Sequence, residues 1–414
     1  MNLSFKIKDL LFICLIFLGN IIFAQSETCF KTGADRSELY LPLLKNRSVI
    51  VVTNQTGLLS DKTHLVDFLV KNNVKIKSIF APEHGFRGDA DAGEHVKNGI
   101  DKKTGIPIVS LYGNNKKPTS EQLKDADIIL FDIQDVGVRF YTYISTLTYV
   151  MEAAAENNVE VMVLDRPNPH DGYIDGPVLK KQWTSFIGMH EVPIVYGLTI
   201  GEYGKMVNGE KWLKNGVQAK YTLIPMLNYH KTKRYGMLEK PSPNLPNDKA
   251  INLYPSLCFF EGTQVSVGRG TDFPFQVFGS PYLWGETTVI SKSKDGETIK
   301  NDVQLYQFHF TPKPNFGAKD PFLNGKECYG ENLSDYKEDL RKLNLEWLLK
   351  AYKNYKNPQQ DFFLKNLFFD KLAGTHELRK QIIAGKSEKE IRGSWQTDLE
   401  KFQKIREKYI VYPD

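Results

Sequence analysis

Between residues 48 and 215, short apolar runs alternate with amphipathic stretches. The runs 48–53, 76–80, 106–111, 128–131 and 161–164 are rich in Val, Ile and Leu, four to six residues long, and predict strands. Between them, 64–72, 120–124 and 143–157 carry apolar residues at helical spacing. Strands that are apolar throughout and separated by helices predict a parallel sheet covered on both faces. The expected fold class is therefore α/β, with a Rossmann-like parallel sheet domain over residues 30–235. Further on the pattern changes: Pro- and Gly-rich loops dominate 240–285, and helical spacing returns at 335–355 and 398–409. This predicts a smaller α+β auxiliary domain over 236–414 that closes over the sheet edge.

The first residues read as something other than fold. Lys6 and Lys8 precede an apolar run, 10–23, that ends at Ala24-Gln25. A basic start, an apolar stretch and a small residue at its end predict a signal peptide over 1–24, with an uncleaved anchor as the alternative. The run is shorter than the roughly 20 residues of a membrane span. The expectation is export to a periplasm or the medium, a mature chain starting near Gln25, and no stable membrane insertion.

Composition removes several function classes. A formal charge of +5 with no dense Lys/Arg stripe argues against a nucleic-acid partner. Cys29, Cys258 and Cys328 follow the leader; they permit one disulfide and have no zinc-site spacing. No G-x-G-x-x-G follows the first strand, where Asn54-Gln55-Thr56-Gly57 stands instead, so no dinucleotide cofactor is expected. Aromatic residues make up 12% of the chain, many of them in loops, which suits sugar binding.

The chemistry concentrates at predicted strand ends. After the run 76–80 comes Ala81-Pro82-Glu83-His84-Gly85-Phe86-Arg87-Gly88, then Asp89, Asp91, Glu94 and His95. A polar, glycine-rich turn at the carboxyl end of a buried strand is where open α/β sheets bind ligands, which makes Glu83 the leading catalytic candidate. In a parallel sheet the same rim collects Asn54, His84, Asp132, Gln134, Asp135, Asp165, Arg166 and Asn168. Carboxylates from separate strands can divide acid and base roles, as glycoside hydrolysis requires. The competing reading for Asp132 and Asp165 is helix capping or loop fixing. The cluster from Glu83 to His95 could instead serve a metal-dependent hydrolase, although it lacks H-E-x-x-H, and no metal is expected. No G-x-S-x-G elbow is present. Arg139, Tyr143 and Arg269 are candidate ligand contacts, with Tyr141 equally suited to packing. Thr199-Ile200-Gly201-Glu202 fits a capping box.

The strings PEHGFRGDADAGEHV, SLYG, FDIQDVGVRFYTYI, VLDRPNP, DGPVL, SPNLP, GRGTDFPF and FDKLAG occur in this order. As a set they resemble the exo-β-N-acetylmuramidase family of peptidoglycan hexosaminidases, from about residue 35 to the C-terminus. The resemblance implies an exo-acting glycosidase that releases β-1,4-linked N-acetylmuramic acid from non-reducing ends, in cell-wall turnover or recycling. The implied partners are peptidoglycan-derived muramic acid disaccharides or glycan ends. It also implies a Rossmann-like domain, an auxiliary domain and a cleft between them, with Glu83 as catalytic acid. Asp135, Asp165 and Asp175 all remain open as the second carboxylate. Tyr196 stands where some relatives carry His. Because the sugar bears a lactyl carboxylate, a cation such as Arg139, Arg166 or Arg269 would select it, by about 1.5–3 kcal/mol. A non-catalytic binder of cell-wall fragments is the remaining alternative.

Overall fold

The computed structural model describes residues 29–83, 85, 86, 98–292 and 298–413. The expected leader, His84, and the candidate ligands Asp89, Asp91, Glu94 and His95 lie outside the described residues. α1 (Ser37–Leu44) leads into β1 (Val49–Thr53), followed by α2 (Leu65–Lys71), β2 (Ile76–Ala81), β3 (Gly99–Ile100) and β4 (Pro107–Ser110). Then come α3 (Ser120–Leu123), β5 (Ile128–Asp132), α4 (Tyr143–Glu156), β6 (Glu160–Leu164), α5 (Ile200–Gly209) and β7 (Lys220–Ile224). The seven strands form one sheet in the order β3-β4-β2-β1-β5-β6-β7. All neighbours are parallel except β3 with β4.

Side chains alternate between the two covered faces. Val49, Val51, Ile128 and Leu130 pack with Tyr40, Leu44, Val66 and Leu69 from α1 and α2. Ile50, Val52, Ile129 and Phe131 pack on the other face with Ile144, Leu147 and Met151 of α4 and Met206 of α5. Burial on both faces is why these runs read as unbroken apolar stretches. From β1 the chain winds outward through β2 and β4 on one side and through β5, β6 and β7 on the other. The carboxyl ends beside β1 and β5 therefore lie at a topological switch point, where such sheets hold ligands.

The second unit contains α6 (Asp248–Leu257), β8 (Val277–Ser280), the hairpin of β9 (Glu286–Lys292) and β10 (Thr298–Gln304), β11 (Phe308–Phe310) and β12 (Cys328–Asn332). It continues through α7 (Glu346–Asn354), α8 (Phe368–Ala373), α9 (Glu377–Ile383) and α10 (Glu388–Arg406). Strands β11, β12 and β8 form a small antiparallel sheet, so the smaller part is α+β. The two units share one core: Phe140 meets Tyr254 and Phe259 edge-on at 5.4 and 6.1 Å. The free thiols of Cys258 and Cys328 are buried and that of Cys29 is exposed.

Two helical expectations need correction. The helix expected from residue 335 begins only at Glu346, because tertiary acceptors take the backbone amides before it. Leu340 N donates to Asn252, Leu343 N to Asp175 and Asn344 N to Ser256. The last helix starts at Glu388, ten residues before the expected 398. A capping box of Ser387 with Glu390 launches it there.

Candidate active site

Glu83 stands in the turn that ends β2. Gly85, at φ 76°, donates its amide to the carbonyl of Pro82 at 3.0 Å. That left-handed backbone favours glycine and turns the chain sharply after the strand. The carboxylate is held from two sides. The Tyr112 hydroxyl, just beyond β4, donates to Oε1 at 2.9 Å, and the Thr142 hydroxyl donates to Oε2 at 2.6 Å. Thr142 is the N-cap residue of α4, yet its side chain makes no cap bond; its hydroxyl serves Glu83 instead. The partial positive charge of that helix end also favours an anion there. Burial and the neighbouring carboxylate push the acidity of the Tyr112 phenol far down, so it remains a donor.

Glu83 lines a cavity of ≈ 120 Å³ between the two units, together with Phe140, Thr142, Ser242, Tyr254, Glu261, Arg269 and Phe275. Glu261 Oε1 accepts from Arg269 Nε at 2.8 Å. The guanidinium lies over the Phe275 ring, 4.9 Å from its centroid. Gly268 and Gly270 flank Arg269 at φ 79° and 80°, shaping the loop that presents it. The ion pair with Glu261 holds the Arg269 charge more firmly than usual, against the opposing effect of burial. Among the described residues, the Nη edge of Arg269 has no hydrogen-bond partner and is the part available to an anionic ligand. The cavity thus presents one carboxyl group held by hydroxyls and one cation held by a second carboxylate.

The other predicted site residues are placed elsewhere. Arg139 is fully buried, its Nη1 donating to the carbonyls of Pro177 and Val192 and its Nη2 to that of Leu372. Arg166 forms a two-point pair with Asp132, at 2.5 and 2.8 Å. Asp165 accepts from the hydroxyls of Thr199 and Tyr412 and from the amide of Gly201. Asn168 donates to the carbonyl of Leu198 and accepts from the amide of His170. Asp175 is paired with Arg392 at 2.8 Å. Asp132, Asp165, Arg166 and Asn168 sit at or just beyond strand ends, as expected, and Arg139 and Asp175 lie farther along the chain; all are engaged by internal partners and none lines the cavity. Asn54 and Tyr143 stand one layer behind it. Asn54 Nδ2 donates to the Tyr143 hydroxyl, which in turn donates to the carbonyl of Pro241. Tyr141, which does line the cavity, donates to the same carbonyl. Thr199 and Glu202 form the capping box the sequence indicates.

Glu261, Tyr112 and Thr142 were not singled out from sequence. Glu261 follows α6, far along the chain from Glu83, and only the packing of the two units brings it in. Among the described residues, no group of three or more His, Cys, Asp or Glu is arranged to hold a metal ion. Nor is any helix among them long and apolar enough to cross a membrane.

Asp135 is buried behind Tyr196, whose hydroxyl donates to Oδ2 at 2.5 Å; Gly137 N donates to the same oxygen, and Oδ1 has no partner. Burial pushes this carboxyl up to about 6 from its ordinary 3.8, against those two donors. Between the two values the native state keeps a proton that the unfolded chain has lost. The favourable contribution of Asp135 is therefore complete below the unfolded value and is lost as the pH rises through about 6. Asp135→Asn does not titrate, so its stability relative to the parent is expected to improve from about pH 4 to about pH 7.5. Urea midpoints of both proteins across that range check this; a constant difference would contradict it. The comparison cancels His170 and His190, whose burial lowers them to about 4 and whose effect on stability runs the other way.

Two family models match the chain: "Exo-beta-N-acetylmuramidase NamZ, N-terminal" over residues 49–249 and "Exo-beta-N-acetylmuramidase NamZ, C-terminal" over 252–412. The chain is 38% identical over 385 residues to a peptidoglycan beta-N-acetylmuramidase, NamZ, of Bacillus subtilis (strain 168). That match covers 90% of this chain and 89% of the relative. It is also similar to two crystal structures of DUF1343 family proteins from Bacteroides fragilis NCTC 9343. One superposes with a TM-score of 0.81 at 42% identity, covering 93% of this chain and 99% of that one. The other has a TM-score of 0.74 at 28% identity, covering 92% and 99%.

Proposed function

The chain belongs to the exo-β-N-acetylmuramidase NamZ family, and from that premise we propose which bond it cleaves and which residues do the work. It is a glycosidase of peptidoglycan. Our reading is that it removes β-1,4-linked N-acetylmuramic acid from the non-reducing end of peptidoglycan fragments or disaccharides, in cell-wall turnover. The observation that carries this is the cavity holding Glu83 and the Arg269–Glu261 pair together. Neither the metal-dependent reading nor the non-catalytic one is favoured for a relative of a peptidoglycan β-N-acetylmuramidase.

In this reading Glu83, in its protonated form, gives its proton to the glycosidic oxygen as the bond to C1 breaks. Water adds to C1 and its released proton restores the acid, so one glycoside and one water yield two hydroxyl groups. Tyr112 and Thr142 fix the position of the Glu83 carboxyl and stabilise its anion once the proton has left. Arg269 receives the lactyl carboxylate on its Nη edge, while Glu261 holds the guanidinium from the other side. Among the other candidates, Asn54 and Tyr143 brace the loop at Pro241, and Asp135 braces Tyr196.

We also infer export and removal of residues 1–24, on the basic, apolar and small-residue order of that stretch. N-terminal sequencing of the exported chain would then begin near Gln25.

The test uses protein starting at Gln25 and chromogenic β-glycosides of N-acetylmuramic acid and N-acetylglucosamine. Hydrolysis of the first, with little of the second, is expected. In Arg269→Leu the preference should fall by about ten- to a hundredfold, the worth of one charge-assisted contact. Hydrolysis of neither glycoside by the parent protein would overturn the reading. An unchanged preference in the variant would remove Arg269 from it.

A further inference from the structure

Resting on that reading, the structure assigns a place for the rest of the glycan: we propose that Phe316 and Lys240 form a platform for the sugars on the leaving-group side of the scissile bond. An exo-enzyme grips one terminal sugar in its cavity, and the remainder of the strand must leave through the mouth. The two loops that line the cavity from the second unit both run outward to a third loop, 311–325. Ser242 and Leu245 line the cavity, while Asn244 of the same segment donates to the carbonyl of Gly317 at 2.6 Å. Arg269 lines it too, and its neighbour Gly270 accepts from Lys313 N at 2.9 Å. Asn315 Nδ2 adds a bond to the carbonyl of Thr271 at 3.3 Å. The third loop is thus fastened to the walls of the cavity by backbone and amide bonds.

On this fastened loop Phe316 is 66% exposed, among the most exposed large apolar side chains of the described residues. Lys240 Nζ lies 5.5 Å from the centroid of its ring. Phe273 and Leu238, on the two cavity-lining loops, are each 40% exposed. An aromatic ring left to solvent on a braced loop exposes apolar surface to water, and a ligand that covers it gains the favourable free energy of removing that surface from water. The apolar C–H face of a pyranose fits such a ring. The ammonium group beside it matches a strand in which every second sugar carries a lactyl carboxylate. A ring with an adjacent cation is therefore suited to an alternating neutral and anionic glycan more than to a neutral one.

The attachment of Lys240 supports the same assignment. Gln55 Nε2 donates to its carbonyl, and the following carbonyl, of Pro241, accepts from both Tyr141 and Tyr143. These tyrosines flank Thr142, the residue that holds Glu83. A strand seated on Phe316 and Lys240 would be in register with the acid through a short, fully bonded path.

The experiment compares the parent with Phe316→Ala, Phe316→Trp and Lys240→Ala on two substrates: the aryl β-glycoside of N-acetylmuramic acid, and peptide-free glycan strands. Both truncations should raise KM on the strands at least five times more than on the aryl glycoside, while Phe316→Trp keeps the parent ratio. The side chains are exposed, so matching thermal midpoints are expected and would confirm intact folding. Equal losses on both substrates, or none on either, would overturn the platform. A parent inactive on the aryl glycoside would instead sink the underlying function reading, so the two failures remain distinct.

Discussion

Glu83→Gln is expected to lower kcat on the muramic acid glycoside by about 10²- to 10⁴-fold, the usual worth of a positioned general acid. In free energy this is about 3–5 kcal/mol off the transition state. The substitution keeps the shape of the side chain and an oxygen that can accept from Tyr112 or Thr142. Each of those hydroxyls can also accept from the new amide, so neither is left without a partner. The fold and the Arg269–Glu261 pair should be undisturbed, and KM should change little, because the lost proton acts only as the bond breaks. Steady-state kinetics with a thermal melt of each protein separates this from misfolding. A variant that retains full kcat would exclude Glu83 as the acid and turn attention to Glu261, the other carboxylate on the cavity.

Of the five strands legible from sequence, β1, β5 and β6 are buried almost throughout, which leaves unbroken apolar runs, while β2 and β4 were readable from their Ile and Val content although β4 is largely half-buried. β7 was not legible because it lies at the sheet edge, with Lys220 and Thr222 exposed, and β3 has only two residues, both exposed. Glu83 could be read from local features alone: a strand, a glycine turn and a carboxylate between them. The partner groups could not. Asp132 and Arg166 sit at neighbouring strand ends, which from sequence suits a ligand site and an internal ion pair equally; the fold pairs them with each other. Arg139 looked like a contact for an anion, yet three carbonyls from distant segments converge on it. Glu261 had no local mark at all. Its role arises from Arg269, eight residues on, and from the meeting of two units whose interface no single-chain periodicity records.

Lys231→Met should be the most destabilising single change in this region of the protein. Lys231 Nζ lies between Asp171, at 2.9 and 3.2 Å, and Glu202, at 2.5 Å. All three side chains are fully buried. Glu202 also accepts the amides of Thr199 and Val411, so the cluster fastens the start of α5 to the C-terminal segment. Removing the cation leaves two carboxylates together without a counter-charge, a loss of about 3–5 kcal/mol. At roughly 2–4 °C per kcal/mol for a domain of this size, the thermal midpoint should fall by about 6–20 °C. Burial already pushes Asp171 up to about 6 with the lysine present. Lys231 is what opposes that rise, so without it Asp171 would bind a proton more readily in the native state and the deficit should narrow as the pH falls from about 7.5 to about 5. Adding Glu202→Gln should recover part of the loss, because one carboxylate then remains and its proton settles it, while the glutamine can still accept from Thr199. Denaturant midpoints of the parent, the single variant and the double variant at both pH values test this. A single variant as stable as its parent would show that the ion pairs of Lys231 contribute no net stability. A double variant weaker than the single would show that Glu202 matters as an acceptor for the C-terminal segment more than as a charge.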